Sequence, residues 1–205
     1  MGNQSANRRI ILFDIGGVLV HSNGIQALQR LLPSGNREEE ILHRWNQSHA
    51  VLQFERGRST PSAFASAFVE EWCLEMTASD FLAFFSEWVP GYYEGAIPLI
   101  ETLKERYTVG CLSNSNEIHW SRLDQIDSLF HFTVVSHRTG WMKPAREAYE
   151  QVLKTVLVPP SDVFFLDDSA HNVVAAQAVG FRAHMVRGIE EARAILATEG
   201  FIPCK

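Results

Sequence analysis

Five short runs rich in β-branched and aromatic residues constrain this chain more than any other feature: 10–13, 108–112, 132–135, 163–166 and 183–186. Each run is mostly apolar and continuous rather than alternating. Strands read that way when both faces are covered, as in parallel sheets flanked by helices. Helical patterns fall between the runs. Tyr149, Val152, Leu153 and Val156 recur at i, i+3, i+4 and i+7, with Pro144 where a first helical turn accepts proline. A second helix over about 172–179 ends at Gly180, and a last one over 189–198 precedes Gly200, with Gly188 closing the strand that Ala183 opens. Strand and helix alternating in this manner give an α/β fold with a parallel sheet.

Residues 22–95 break the alternation with helical patterns and no strand. Phe64, Phe68 and Trp72 share one helical face, opened by Thr60-Pro61; Phe81, Phe84, Phe85 and Trp88 share another, after a cap signal at Thr77 to Asp80. Aromatic stripes at this spacing read as the core of a small helical bundle. The expected division is a sheet core of 1–21 and 96–205 with a helical cap of 22–95 inserted after the first strand.

Composition narrows the partners. With 18 basic and 24 acidic residues the net charge is -6, and no basic run marks a nucleic-acid or membrane footprint. Arg8-Arg9 and the apolar run behind them fail as a leader, because Asp14 and two glycines interrupt it. Met1-Gly2 fails as an acylation signal, because Ala6 stands where Ser or Thr is required. Cys73, Cys111 and Cys204 are odd in number and widely spaced, which suits reduced thiols in the cytoplasm. A small molecule is the expected partner; oligomeric state is not readable from these features.

Ligands of open parallel sheets bind beyond the carboxyl ends of the strands. The first run ends in Asp14, the second in Ser113-Asn114 and the fourth in Asp167-Asp168, while Lys143 precedes the Pro144 helix. A single acid at such a place is commonly a turn or cap residue. Three carboxylates converging in one crevice repel one another unless a cation sits among them, and an all-oxygen set suits Mg²⁺. Lys143 opposes the positive end of the helix it precedes, a conflict that an anionic partner resolves. A carboxylate free to attack, a divalent ion, a hydroxyl with an amide and a fixed positive charge are what phosphoryl transfer through an aspartyl phosphate requires.

The segments "ILFDIGGVLV", "GCLSNSN", "GWMKPAREAYE" and "VFFLDDSAHN", in that order, resemble those of haloacid dehalogenase superfamily hydrolases with a helical cap. The resemblance implies a Rossmann-like core and a Mg²⁺-dependent phosphatase. In it Asp14 is the nucleophile, the Gly16 carbonyl and Asp168 join Asp14 as metal ligands, and Asp167 stands behind them. Ser113 and Asn114 hold the transferring phosphoryl group, Lys143 stabilises the nucleophile and the developing charge, and Asn172 orients the metal shell. "FDIGG" and "SNSNEIH" are similar to glucose-1-phosphate phosphatase-like members, which implies a sugar phosphate as the small phosphate ester.

One position departs from that pattern. Family phosphatases carry a second Asp two residues after the nucleophile, to protonate the leaving oxygen and then activate water; here it is Gly16. Such help is worth about 10²- to 10⁴-fold. Three explanations stay open: a substitute among His21, Glu55, His119 and His171; a substrate with an acidic leaving group; or lost catalysis with phosphate or metal binding retained. A dehalogenase of 2-haloacids also lacks the second Asp, but Asp167-Asp168 would repel its carboxylate substrate.

Overall fold

The computed structural model describes residues 9–33 and 35–203. Met1, Gly2, Ala6, Arg8 and Cys204, on which the leader, acylation and third-thiol readings rest, lie outside the described residues. Five strands form one sheet: β1 (Ile10–Phe13), β2 (Thr108–Ser113), β3 (Phe132–Val135), β4 (Val163–Asp167) and β5 (Arg182–Met185). Their order is β3-β2-β1-β4-β5 and every pairing is parallel. The continuous apolar runs follow from this arrangement. Ile11, Phe13, Phe164 and Leu166 enter one buried cluster, whereas Ile10, Leu12, Val163 and Phe165 enter another on the opposite face. Both faces of the central strands are thus covered.

Helices α1 (Gly24–Leu31), α2 (Glu38–Gln47), α3 (His49–Glu55), α4 (Pro61–Trp72) and α5 (Ala78–Ser86) lie between β1 and β2. α6 (Ala96–Lys104) leads into β2, and α7 (Glu117–Ser121), α8 (Ile126–Leu129) and α9 (Ser136–Thr139) surround β3. α10 (Arg146–Val156), α11 (Ala170–Val179) and α12 (Gly188–Thr198) complete the fold. Both cap signals hold: Thr60 Oγ1 accepts from the Ala63 N–H, and Thr77 Oγ1 from that of Asp80. Gly180 ends α11 at φ 104°. Pro144 is placed differently from the expectation, in the turn ahead of α10, whose cap is Ala145. Periodicity identified that helix, but the turn takes up its first two residues.

The inserted helices have a hydrophobic core of their own. Phe54 stacks on Phe64 with ring centroids 4.3 Å apart, and Phe68 lies 4.6 Å from Phe81. Phe64, Phe68, Trp72, Phe81, Phe85 and Trp88 are all buried there, so the stripes are packing surfaces. Removing one such ring costs about 3–5 kcal/mol. The chain enters and leaves the insertion through two paired segments. The His21 N–H donates to the Gly91 carbonyl (3.0 Å), the Asn23 N–H to Trp88 (3.0 Å) and the Tyr93 N–H to Leu19 (2.9 Å).

Candidate active site

Register places the acids. Phe13 is level with Leu166, and the Asp14 N–H donates to the Leu166 carbonyl at 2.8 Å. Asp14, just past β1, and Asp167, the last residue of β4, therefore lie at the same height at the carboxyl end of the sheet, where the strand order reverses. The buried Lys143 ammonium bridges them, 2.8 Å from Asp14 Oδ1 and 2.7 Å from Asp167 Oδ2. The Ile15 N–H also donates to Asp14 Oδ1, at 2.7 Å.

Asp167 is fully buried and saturated. Besides Lys143 it accepts from the Ser169 N–H (2.8 Å) and from Asn172 Nδ2 (3.0 and 3.2 Å). Asn172 thus steadies Asp167, the acid that stands behind the expected metal ligands. Asp168 is exposed. Carboxylate oxygens of Asp14, Asp167 and Asp168 lie within 4.8 Å of one another. Burial pushes the Asp14 carboxyl up to about 8; Lys143 pulls it down, and Asp167 and Asp168 add repulsion. Burial, then the Asp167 charge, raises Asp168 as well. Three carboxylates face one ammonium, an excess of negative charge that a divalent cation would balance.

The two glycines after Ile15 differ in their surroundings. Gly17 has φ +70°, and a Cβ on it would stand 2.2 Å from Asp168 Oδ2, so the backbone presses against that acid. A Cβ on Gly16 would meet nothing within 4 Å. A bridge joins this turn to Val20 through the Ile15 and Val20 carbonyls, leaving the Gly16 carbonyl outside it.

Ser113 is buried at the end of β2. The Asn114 side chain is engaged within the protein. Its Nδ2 donates to the Lys143 carbonyl (2.9 Å) and its Oδ1 accepts from the Lys143 N–H (2.8 Å), so its side chain holds the lysine segment in place. Two residues not singled out from the sequence brace the same loop: Ser136 Oγ accepts from the Ser115 N–H and donates to the Ser115 carbonyl, both at 3.0 Å. The repeated Ser-Asn of "SNSN" was the available signal for Ser115; Ser136 offered none.

A cavity of about 210 Å³ opens beside Gly16, Ser113 and Asn114, walled by Ile25, Leu42, Trp45 and Trp88 of the insertion and by His21, Glu55 and His119. Arg56 caps α3. It is not among the residues that wall this cavity. His119 donates from Nε2 to the Phe85 carbonyl (2.8 Å), which can only accept, and Nδ1 receives Asn116 Nδ2 (3.2 Å). Burial lowers its pKa to about 4, so the ring is neutral and both nitrogens are engaged.

A family model described as haloacid dehalogenase-like hydrolase matches residues 9–180. The chain belongs to the haloacid dehalogenase-like hydrolases. Among curated relatives of this hydrolase, D-ribitol-5-phosphate phosphatase of Bacteroides thetaiotaomicron is 26% identical over 189 residues, spanning 83% of this chain and 88% of that protein. A crystal structure of a haloacid dehalogenase family enzyme from Bacteroides thetaiotaomicron superposes with a TM-score of 0.74 at 25% identity, covering 88% of this chain and 94% of the other. L-2-haloacid dehalogenase from Xanthobacter autotrophicus superposes at 0.61 with 19% identity over 96% and 85% of the chains, a likeness of fold.

Proposed function

We propose that this hydrolase is a Mg²⁺-dependent phosphatase of a small phosphate monoester, working through a phosphoaspartyl intermediate on Asp14. One observation carries the reading: a lone buried ammonium, Lys143, shared by two strand-end carboxylates, with a third, exposed carboxylate beside them. Asp14, Asp168 and the Gly16 carbonyl are the oxygen donors fit to hold the ion. Bound there, the ion neutralises charge on the phosphoryl oxygens and aligns them. Asp14 attacks phosphorus, forming an O–P bond while the ester P–O bond breaks. Water then cleaves the acyl phosphate, releasing inorganic phosphate and restoring the carboxylate. Lys143 favours the ionised form of Asp14 against the effect of burial and orients it, and Asp167 with Asn172 holds Lys143. Ser113 Oγ and the backbone N–H of Asn114 are assigned to the phosphoryl oxygens, since the Asn114 side chain is engaged by Lys143.

Residues 22–95 serve as the cap over the core of 1–21 and 96–205, and choose the ester. A sugar or polyol phosphate is the leading substrate class. It is supported by the similarity to D-ribitol-5-phosphate phosphatase and by a cavity sized for a small metabolite, with His21, Ser22, Glu55 and Ser115 as polar partners. A cytoplasmic setting agrees with the free thiols of Cys73 and Cys111. Among the described residues no helix is long and apolar enough to cross a membrane. The unfilled space at Gly16 favours a second reading, a protein that binds phosphate and metal without turnover. A dehalogenase reading fits less well, because Asp168 adds a carboxylate beside Asp14 where a carboxylate substrate would bind.

A screen of metabolite phosphates with Mg²⁺, run beside Asp14→Asn, decides between the readings. Release of phosphate by the wild type and none by the variant supports the proposal. Binding that raises thermal stability without turnover supports the second reading.

A further inference from the structure

We propose that Glu55, at the end of α3 in the inserted bundle, is the general acid and base that the core lacks at Gly16; the inference rests on the phosphatase reading. Gly16 and Glu55 wall the same cavity, together with Ser113 and Asn114. At position 16 the space that a carboxylate would occupy is open. On the wall of the same cavity Glu55 is partly buried, yet its side chain makes no hydrogen bond or ion pair with any described residue. A carboxyl group withdrawn from water without a partner is costly, and groups so placed cluster at functional sites.

Its position is fixed against the sheet core. Gly57, at φ +66°, lies so close to α9 that a Cβ would stand 2.0 Å from the His137 carbonyl oxygen. His137 Nδ1 in turn meets the Ser115 carbonyl at 3.1 Å, and Ser136 braces the same residue. The end of α3 is therefore keyed to the loop that carries Ser113 and Asn114, so a cap residue is held in register with the phosphoryl-binding end of β2. Burial raises the Glu55 carboxyl to about 7, opposed by the charge of Lys143, so a proton is held near neutrality.

The other candidates fare worse. His119 has both nitrogens engaged. His171 is exposed on α11 and is not among the cavity residues. His21 reaches the cavity from the linker, its ring 3.9 Å from that of Tyr93, and is the rival to test.

The steps balance. As Asp14 bonds to phosphorus and the ester P–O bond breaks, the Glu55 proton passes to the departing oxygen, giving the alcohol. Glu55 carboxylate then takes a proton from water as the water oxygen bonds to phosphorus and the Asp14–phosphorus bond breaks.

The test uses the full chain with Mg²⁺ and substituted phenyl phosphates whose phenols range from 4-nitrophenol to 4-methoxyphenol. An acid matters little when the leaving group is already stable. Glu55→Gln is expected to lower kcat/KM by less than about threefold for 4-nitrophenyl phosphate and by about 100-fold or more for the 4-methoxy ester. The wild type should show only a shallow slope across the series. Gly16→Asp in the Glu55→Gln background should flatten the slope again, and an unchanged melting temperature for Glu55→Gln establishes that the fold is intact. An equal loss across the series, no loss at all, or a steepened slope in His21→Asn instead of Glu55→Gln overturns the assignment of Glu55. With the wild type active and Asp14→Asn dead, those outcomes leave the phosphatase reading standing; a wild type inert toward every ester sinks both.

Discussion

Lys143 Nζ stands 2.8 Å from Asp14 Oδ1, with the lysine side chain 1% exposed and the aspartate side chain 11%. The same nitrogen holds Asp167, so a single cation keeps two acids from facing each other uncompensated. Removing one partner of a buried charge cluster costs about 3–5 kcal/mol, because the charges left behind remain out of water. Lys143→Met should therefore lose about that much stability in urea unfolding, and phosphate release should vanish with it. A loss below about 1 kcal/mol would mean that solvent reaches the pair.

Gly17 and Gly16 are neighbours with opposite tolerance. An alanine methyl at 17 would press on Asp168 Oδ2 from 2.2 Å, in a left-handed backbone that alanine resists. Gly17→Ala should need about tenfold more Mg²⁺ or worse to reach half of the metal-induced rise in melting temperature. Gly16→Ala, with open space around it, should unfold within about 0.5 kcal/mol of the wild type.

Asp168 has solvent on one side and the cluster on the other, whereas Asp167 is spent on Lys143, Ser169 and Asn172. Chelation should abolish turnover and added Mg²⁺ should restore it. Asp168→Asn should raise the Mg²⁺ concentration for half-maximal activity by about tenfold or more, since one anionic ligand is gone.

His119 links the two parts of the molecule through the Phe85 carbonyl and stays neutral in the fold, its pKa lowered by burial from 6.5 to about 4. As pH falls, the unfolded chain takes up a proton at this residue before the folded one does. The contribution is complete above pH 6.5 and is lost on going down to about pH 4, by up to about 3 kcal/mol. Urea unfolding of the wild type should fall by that much more than His119→Asn between pH 7 and pH 4.

The sheet and the strand-end acids were legible because they rest on local patterns. Continuous apolar runs marked strands such as β1 and β4 within a residue of their ends, and Asp14 and Asp167 follow from where those runs stop. The aromatic faces of α4 and α5 were equally plain from helical spacing. What stayed hidden depends on partners distant in the chain. Nothing near Asn114 indicates that its amide is committed to the Lys143 backbone 29 residues away, or near Asn172 that it serves Asp167. Glu55 was one of four possible substitutes until the fold set it on the same cavity as Gly16. Pro144 was misplaced because proline suits both a first helical turn and the turn before one.

The segments entering and leaving the bundle are stitched together, His21 to Gly91 and Tyr93 to Leu19, so its two ends are neighbours in space. A module whose two ends meet in space can be exchanged during evolution without re-routing the chain through the sheet. If Glu55 travels with it, each replacement changes the fit for new esters and the ability to expel reluctant alcohols in one stroke. Selectivity and protonating power would then be inherited as a package.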